Sequence, residues 1–161
     1  MKSNHKGGIA FMKEKNKRCV LRCVKEEGPI SRSEVADQLQ LSKPTVSALV
    51  EELLQENWLK EVGPGSASLA GGRKPIQLLF NSKAAYVIGI DMGGTKVRAG
   101  ICDLDGHLLA VNEFPTQIQK KTLLETLKHN VEKLLKQTSL QPADILGMGT
   151  RNDGCGKRSS Y

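Results

Sequence analysis

Two short runs hold the side chains whose types and spacing suit chemistry. The first is Ser42-Lys43-Pro44-Thr45-Val46-Ser47, where three hydroxyls and an ammonium cluster. Short donors and one cation at the head of a helix suit hydrogen bonds to base edges and phosphates in a DNA groove. The second run is Asp91-Met92-Gly93-Gly94-Thr95. Its two glycines let backbone N–H groups converge on an anion, Thr95 adds a hydroxyl, and Asp91, at a strand end, can hold a hydrated Mg²⁺ that bridges phosphates. Taken alone, D-x-G-G-T reads equally well as a hairpin turn.

Periodic apolar residues must position the first run. From Ser33 onward, Val35, Ala36 and Leu39 fall on one helical face, and Leu39 to Ser42 makes a tight connection. The next helix opens at Ser42 with Pro44 in its first turn, where a missing N–H costs nothing. Val46, Leu49, Val50, Leu53 and Leu54 then recur at helical spacing. This is the layout of a helix-turn-helix, whose second helix enters the major groove by its N-terminal residues. Ahead of it, Asn16 to Glu27 reads as a helix with Val20, Leu21 and Val24 inward, stopped by Gly28-Pro29. Behind it, Trp58 to Val62 and Ile76 to Phe80 read as strands flanking a loop rich in Gly, Ser and Pro, the wing of a winged helix. In that loop Gly71-Gly72-Arg73-Lys74-Pro75 sets two cations where the backbone can approach closely. An Arg so placed can enter a narrow A·T-rich minor groove; the bland alternative is a solvated turn.

Charge agrees with a polyanionic partner. The chain has 24 Lys/Arg and 17 Asp/Glu, formally +7. Residues 1 to 25 hold eight Lys/Arg and one Glu, so this segment carries the whole excess. A basic arm ahead of a helix-turn-helix suits phosphate contact, and a solvated, frayed terminus is its alternative reading. No apolar run is long enough to span a membrane, and the basic N-terminus lacks a signal-peptide core, so a cytoplasmic location is expected. Cys19, Cys23, Cys102 and Cys155 form no CxxC pair, and His5, His107 and His129 are scattered. Cys19 and Cys23, one helical turn apart, read as core packing; no metal and no cofactor is expected.

A second domain begins near Lys83. Ala85 to Ile90, Lys96 to Asp103 and His107 to Phe114 read as three antiparallel strands turning at Asp91–Thr95 and Asp105-Gly106. Thr122 to Gln137 follows as a crossover helix with Leu123, Leu124, Leu127, Val131, Leu134 and Leu135 inward, and Ile145 to Met148 starts another strand. The full run IGIDMGGTKVRAGICDLDG resembles the phosphate-1 segment of sugar kinases with the actin-like fold. A winged helix, then GGRKP, then IGIDMGGTKVRAG resembles the ROK family of repressors, open reading frames and kinases, over residues 16 to 148.

The resemblance implies an α+β chain: a winged helix-turn-helix followed by a truncated actin-like (RNase H-like) α/β lobe. The expected divisions are a disordered basic arm over 1–15, the DNA-binding domain over 16–80, a partial lobe over 83–149 and an irregular tail over 150–161. It implies a repressor of sugar-use genes, with xylose the expected effector, that binds A·T-rich palindromic operator DNA as a dimer. Ser42, Lys43, Thr45 and Ser47 would face the major groove, Arg73 and Lys74 the wing contact, and Asp91, Gly93, Gly94 and Thr95 a vestigial phosphate turn with no catalytic residue. The family's sugar-contacting segment, its Cys-rich zinc motif and its second lobe have no counterpart here, and TRNDGCGKRSSY departs from the family pattern. A frameshift or premature stop near Met148 would account for that ending. An ATP-dependent sugar kinase-like protein and a non-functional remnant are the alternative readings.

Overall fold

The computed structural model of the protein describes residues 5–64, 74–116 and 120–152. It divides into two compact units, Met1–Asn81 and Ser82–Tyr161.

The first unit comprises α1 (His5–Glu27), β1 (Ile30–Ser31), α2 (Arg32–Leu39), α3 (Lys43–Gln55), β2 (Leu59–Pro64) and β3 (Ile76–Phe80). The strands form an antiparallel sheet in the order β1-β3-β2, with Ile30 opposite Leu78 and Leu59 opposite Phe80. The periodic residues of all three helices converge on one core: Val20 and Val24 from α1, Val35 and Ala36 from α2, and Val46, Leu49, Val50 and Leu53 from α3. Ile30, Leu59 and Leu78 close it from the sheet. Each large aliphatic side chain there contributes about 1.5–3 kcal/mol by leaving water. Gly28 ends α1: its N–H donates to the Val24 carbonyl at 3.0 Å, and a Cβ at Gly28 would lie 2.5 Å from that same oxygen.

Two expectations change in this unit. Helix α1 starts at His5, so the basic arm expected to be disordered over 1–15 is helical from His5 onward. Charge pairing to α3 extends it. Lys13 pairs with Glu52, and Lys17 reaches both Glu52 and Glu56. The Lys17 ammonium is held above its ordinary pKa chiefly by its bond to Glu56, and Lys13 holds the Glu52 carboxyl below its own. In addition, Ile30 and Ser31 form a strand rather than a plain lead-in to α2.

The second unit comprises β4 (Tyr86–Met92), β5 (Lys96–Asp103), β6 (Leu108–Pro115), α4 (Lys120–Thr138) and β7 (Ile145–Asn152). The sheet order is β6-β5-β4-β7; β4, β5 and β6 are antiparallel neighbours, and β7 returns parallel to β4. A parallel return needs a crossover, and α4 supplies it. Leu134 of α4 is fully buried with Ile88, Ile90, Val97, Ala99, Ile101 and Phe114 of the sheet. Leu123, Leu127, Val131 and Leu135 pack against this cluster, but Leu124 is 57% exposed, against expectation. Leu124 lies one residue, about 100° of helix, off the line from Leu123. Strand β7 also runs past Met148. Thr150, Arg151 and Asn152 pair with Ile90, Asp91 and Met92, so the irregular tail expected from 150 is strand through Asn152. Backbone pairing needs no apolar periodicity, and the sequence offers none there. Residues 153–161 lie outside the described residues.

No described helix is long and apolar enough to cross a membrane. Among the described residues, no group of three His, Cys, Asp or Glu is placed to hold a metal ion. Cys23 is buried in the first core, its thiol donating to Gln38 Oε1 at 3.0 Å, and burial pushes its pKa up.

Candidate nucleic-acid interface

Helix α3 is built to present its first turn. Ser42 is its N-cap in extended conformation, and Ser42 Oγ accepts the Thr45 N–H at 3.3 Å. The Ser42 and Thr45 hydroxyls share a further hydrogen bond of 2.7 Å. Lys43 and Pro44 occupy the first helical positions, where the absent proline N–H is one that no helix satisfies. Ser42, Lys43, Thr45 and Ser47 are all exposed, while Val46, Leu49 and Val50, interleaved with them, are buried. The core thus fixes the helix roll that turns this polar edge outward. Ser42 serves first as a cap, a role the sequence reading did not give it.

The polar edge has two flanks. Lys43 and Ser47 line one groove, of about 350 Å³, together with Lys74 at the base of the wing and Arg32 and Ser33 at the start of α2. Thr45 lies on the other flank, beside Met12, Lys13 and Asn16 of α1. The structure therefore brings together Lys43, Ser47 and Lys74 and sets Thr45 apart from them. Arg73, the minor-groove candidate, lies outside the described residues. Arg32 and Ser33 were missed by sequence reasoning, although Ser31-x-x-Glu34 is a capping-box signature that marks where α2 begins. In the structure Ser31 Oγ accepts the Glu34 N–H at 3.3 Å and Glu34 Oε2 accepts the Ser31 N–H at 2.8 Å. These bonds to Ser31 hold the Glu34 carboxyl below its ordinary pKa.

The second run folds as a hairpin connection. Asp91 and Met92 still belong to β4, and only Gly93, Gly94 and Thr95 form the turn. The Gly93 N–H donates to the Lys96 carbonyl at 3.0 Å, which spends one of the two glycine donors expected to face an anion. Thr116 ties the turn from outside. Its Oγ1 donates to the Gly93 carbonyl at 2.8 Å and its N–H to the Thr95 carbonyl at 3.0 Å. Asp91 sits in register between Arg98 of β5 and Arg151 of β7. Arg98 Nε in turn donates to Glu113 at 2.8 Å, and Lys96 to the same carboxylate at 2.9 Å.

Comparison with known proteins matches both units. Residues 13–60 match the family model for winged helix-turn-helix DNA-binding segments, and residues 87–150 match that of the ROK family. The xylose repressor of Bacillus spizizenii is 32% identical over 144 residues, covering 86% of this chain and 36% of the relative. The N-acetylglucosamine repressor of Escherichia coli is 28% identical over 119 residues, covering 74% of this chain and 29% of the relative. Among solved structures, a ROK family transcriptional regulator described as a homologue of the Escherichia coli MLC protein superposes with a TM-score of 0.67 at 17% identity. That superposition covers 89% of this chain and 36% of the other, and shows the shared fold.

The fold is that of a winged helix-turn-helix unit joined to an α/β lobe. Within it, a segment that matches the ROK family, residues 87–150, follows a winged helix-turn-helix segment, residues 13–60. The chain spans about a third of the length of the Bacillus xylose repressors it matches.

Proposed function

We propose that this chain acts as the DNA-binding portion of a cytoplasmic, sugar-responsive transcriptional repressor. The observation that carries this is the exposed first turn of α3, flanked by the groove where Lys43, Ser47 and Lys74 meet. An exposed, capped helix start with cations on one flank suits entry into the major groove with phosphates alongside. On this reading Thr45 touches a base edge, Lys43 and Lys74 neutralise phosphates, and Arg73 reaches the minor groove of A·T-rich flanks. The operator is palindromic and read by a dimer. Xylose is the proposed effector, on the names of the Bacillus relatives.

The kinase-like reading draws on the ROK match alone. The hairpin geometry at Gly93 and the arginines in register with Asp91 give it no support. A gel-shift series with A·T-rich palindromic duplexes tests the proposal. Binding that weakens steeply as salt rises is expected, because released counterions drive much of such binding. Failure of the folded chain to shift any such duplex at low salt overturns the reading.

A further inference from the structure

From the groove between α2, α3 and the wing we infer a seat for one DNA backbone phosphate, shared by Arg32, Ser33 and Lys74; this rests on the DNA-binding reading above. Three elements distant in sequence bring their polar groups to this one place. Arg32 and Ser33 open α2, Lys43 and Ser47 come from α3, and Lys74 lies two residues before the return strand β3 of the wing. Three cations line the groove, and the nearby carboxylates are committed. Glu61 of β2 pairs with Arg32 Nη1 at 2.9 Å, and Glu34 accepts the Ser31 N–H within the cap. Lys43 and Lys74 have no ion-pair partner among the described residues. Three cations against these two carboxylates leave an excess of one positive charge, which favours an anionic ligand.

Arg32 is preset rather than loose. Only 28% of its side chain is exposed, and Glu61 holds one end of the guanidinium on the wing strand. A guanidinium has five N–H donors, so the pair with Glu61 leaves donors to spare for an oxygen in the groove. This pair also ties the start of α2 to the wing, so a phosphate bound at Arg32 registers wing and helix-turn-helix together. Ser33 adds a directed hydroxyl. Ser31 is 2% exposed, and its oxygen already accepts the Glu34 N–H. Ser31 and Ser33 Oγ lie 3.0 Å apart in a shared hydrogen bond. With Ser31 donating along that bond, the Ser33 proton is free to point at an anion. A phosphodiester oxygen selects that arrangement, and a chain of donors polarised this way strengthens each link. The ligand class is a phosphodiester backbone, read without regard to base sequence.

The test is the salt dependence of binding to a fluorescein-labelled mixed-sequence 24-base-pair duplex, measured by anisotropy with the full chain. Each neutralised phosphate contributes about 0.9 to the slope of log K against log salt. Arg32→Gln and Lys74→Ala should each weaken binding with less than the full flattening of about 0.9, because the other cation still serves the shared phosphate, and the double variant should flatten the slope by about 0.9 rather than about 1.8. Ser33→Ala keeps every charge, so it should weaken binding several-fold at all salt concentrations and leave the slope alone. Lys83→Ala, an exposed cation of the second unit, should change neither. A double variant flattened by about 1.8, or one that keeps the wild-type slope, overturns the shared seat while the DNA-binding reading stands. A wild-type chain that does not bind the duplex overturns both.

Discussion

Lys13 on α1 and Glu52 on α3 form an ion pair across 39 residues of sequence, and Lys17 braces the same carboxylate from the next turn of α1. The pair explains why a segment with Gly7 and Gly8, poor helix formers, is helical from His5. Its partner lies on the helix whose first turn faces the proposed DNA. Glu52→Ala should therefore loosen the front of α1 and leave its rear intact. Amide hydrogen exchange is expected to accelerate over residues 8–16 and to stay slow at Val20 and Val24, which the core holds. Uniform protection along α1 in the variant would show that the ion pairs do not hold its front half.

Ser42 and Thr45 should separate stability from recognition, although both look equally suited to DNA in the sequence. Ser42 Oγ accepts the Thr45 N–H, so Ser42→Ala leaves that donor unsatisfied and should cost about 0.5–2 kcal/mol of stability. Thr45→Ala removes an exposed hydroxyl and its solvent-accessible hydrogen bond to Ser42 Oγ, leaves the backbone cap in place, and should lower the melting temperature less than Ser42→Ala does. Its expected effect is on sequence preference, at about 1–3 kcal/mol for a lost base contact. Thermal melts and operator-variant binding of both proteins check the split. A Thr45→Ala protein with unaltered preference would show that the base-reading face of α3 lies elsewhere.

The winged helix was legible because its signals are local and agree. Apolar residues at helical spacing on α1, α2 and α3 are the residues that build one core, and Ser31 and Ser42 stand where caps are needed. What stayed hidden depends on partners distant in sequence. Strand β1 is two residues long and exists through Leu78 and Gln77 on β3. The groove residues Arg32 and Ser33 meet Lys74 only after folding. Leu124 illustrates a different failure: a run of leucines overfills a helical stripe, and periodicity alone does not say which one faces out. The Gly93-Gly94 turn, read for anion chemistry with a hairpin turn as the alternative, closes a hairpin in which the Gly93 N–H donates to the Lys96 carbonyl.

Gly89 and Gly100 are directly opposed on β4 and β5, yet alanine should affect them differently. A Cβ at Gly100 would meet Val111 Cγ2 at 2.9 Å, Leu108 Cδ1 at 3.1 Å and the Ala110 carbonyl oxygen at 3.2 Å. The side-chain tips can give, but the carbonyl belongs to the paired neighbour strand. Gly100→Ala should destabilise the second unit by about 1–3 kcal/mol, the usual cost of overpacking. A Cβ at Gly89 meets nothing within 4 Å. Gly89→Ala should be neutral or slightly stabilising, since glycine loses more freedom on folding than alanine. Denaturant titration of the two variants decides; equal losses would contradict the packing around Gly100.

Asp103 closes the turn between β5 and β6 and should make the second unit sensitive to acid. The residue is 4% exposed, and Oδ1 accepts the N–H groups of Asp105 at 3.0 Å and His107 at 2.9 Å. Burial alone pushes the carboxyl up, but the donated N–H groups and the His107 ring outweigh it and hold Asp103 below its ordinary value. A carboxylate depressed in the folded state stabilises most above its unfolded pKa, about 3.9, and loses that contribution as pH falls through the folded value. Asp103→Asn removes the charge at every pH. The variant should therefore be less stable than wild type at pH 7, and the gap should narrow as pH drops below about 4 and close once it passes the depressed folded value. Exchange rates of the Asp105 and His107 amides, followed across that range, report on the turn itself. A gap between wild type and variant that persists unchanged into strong acid would show that the carboxylate charge is not what holds the turn.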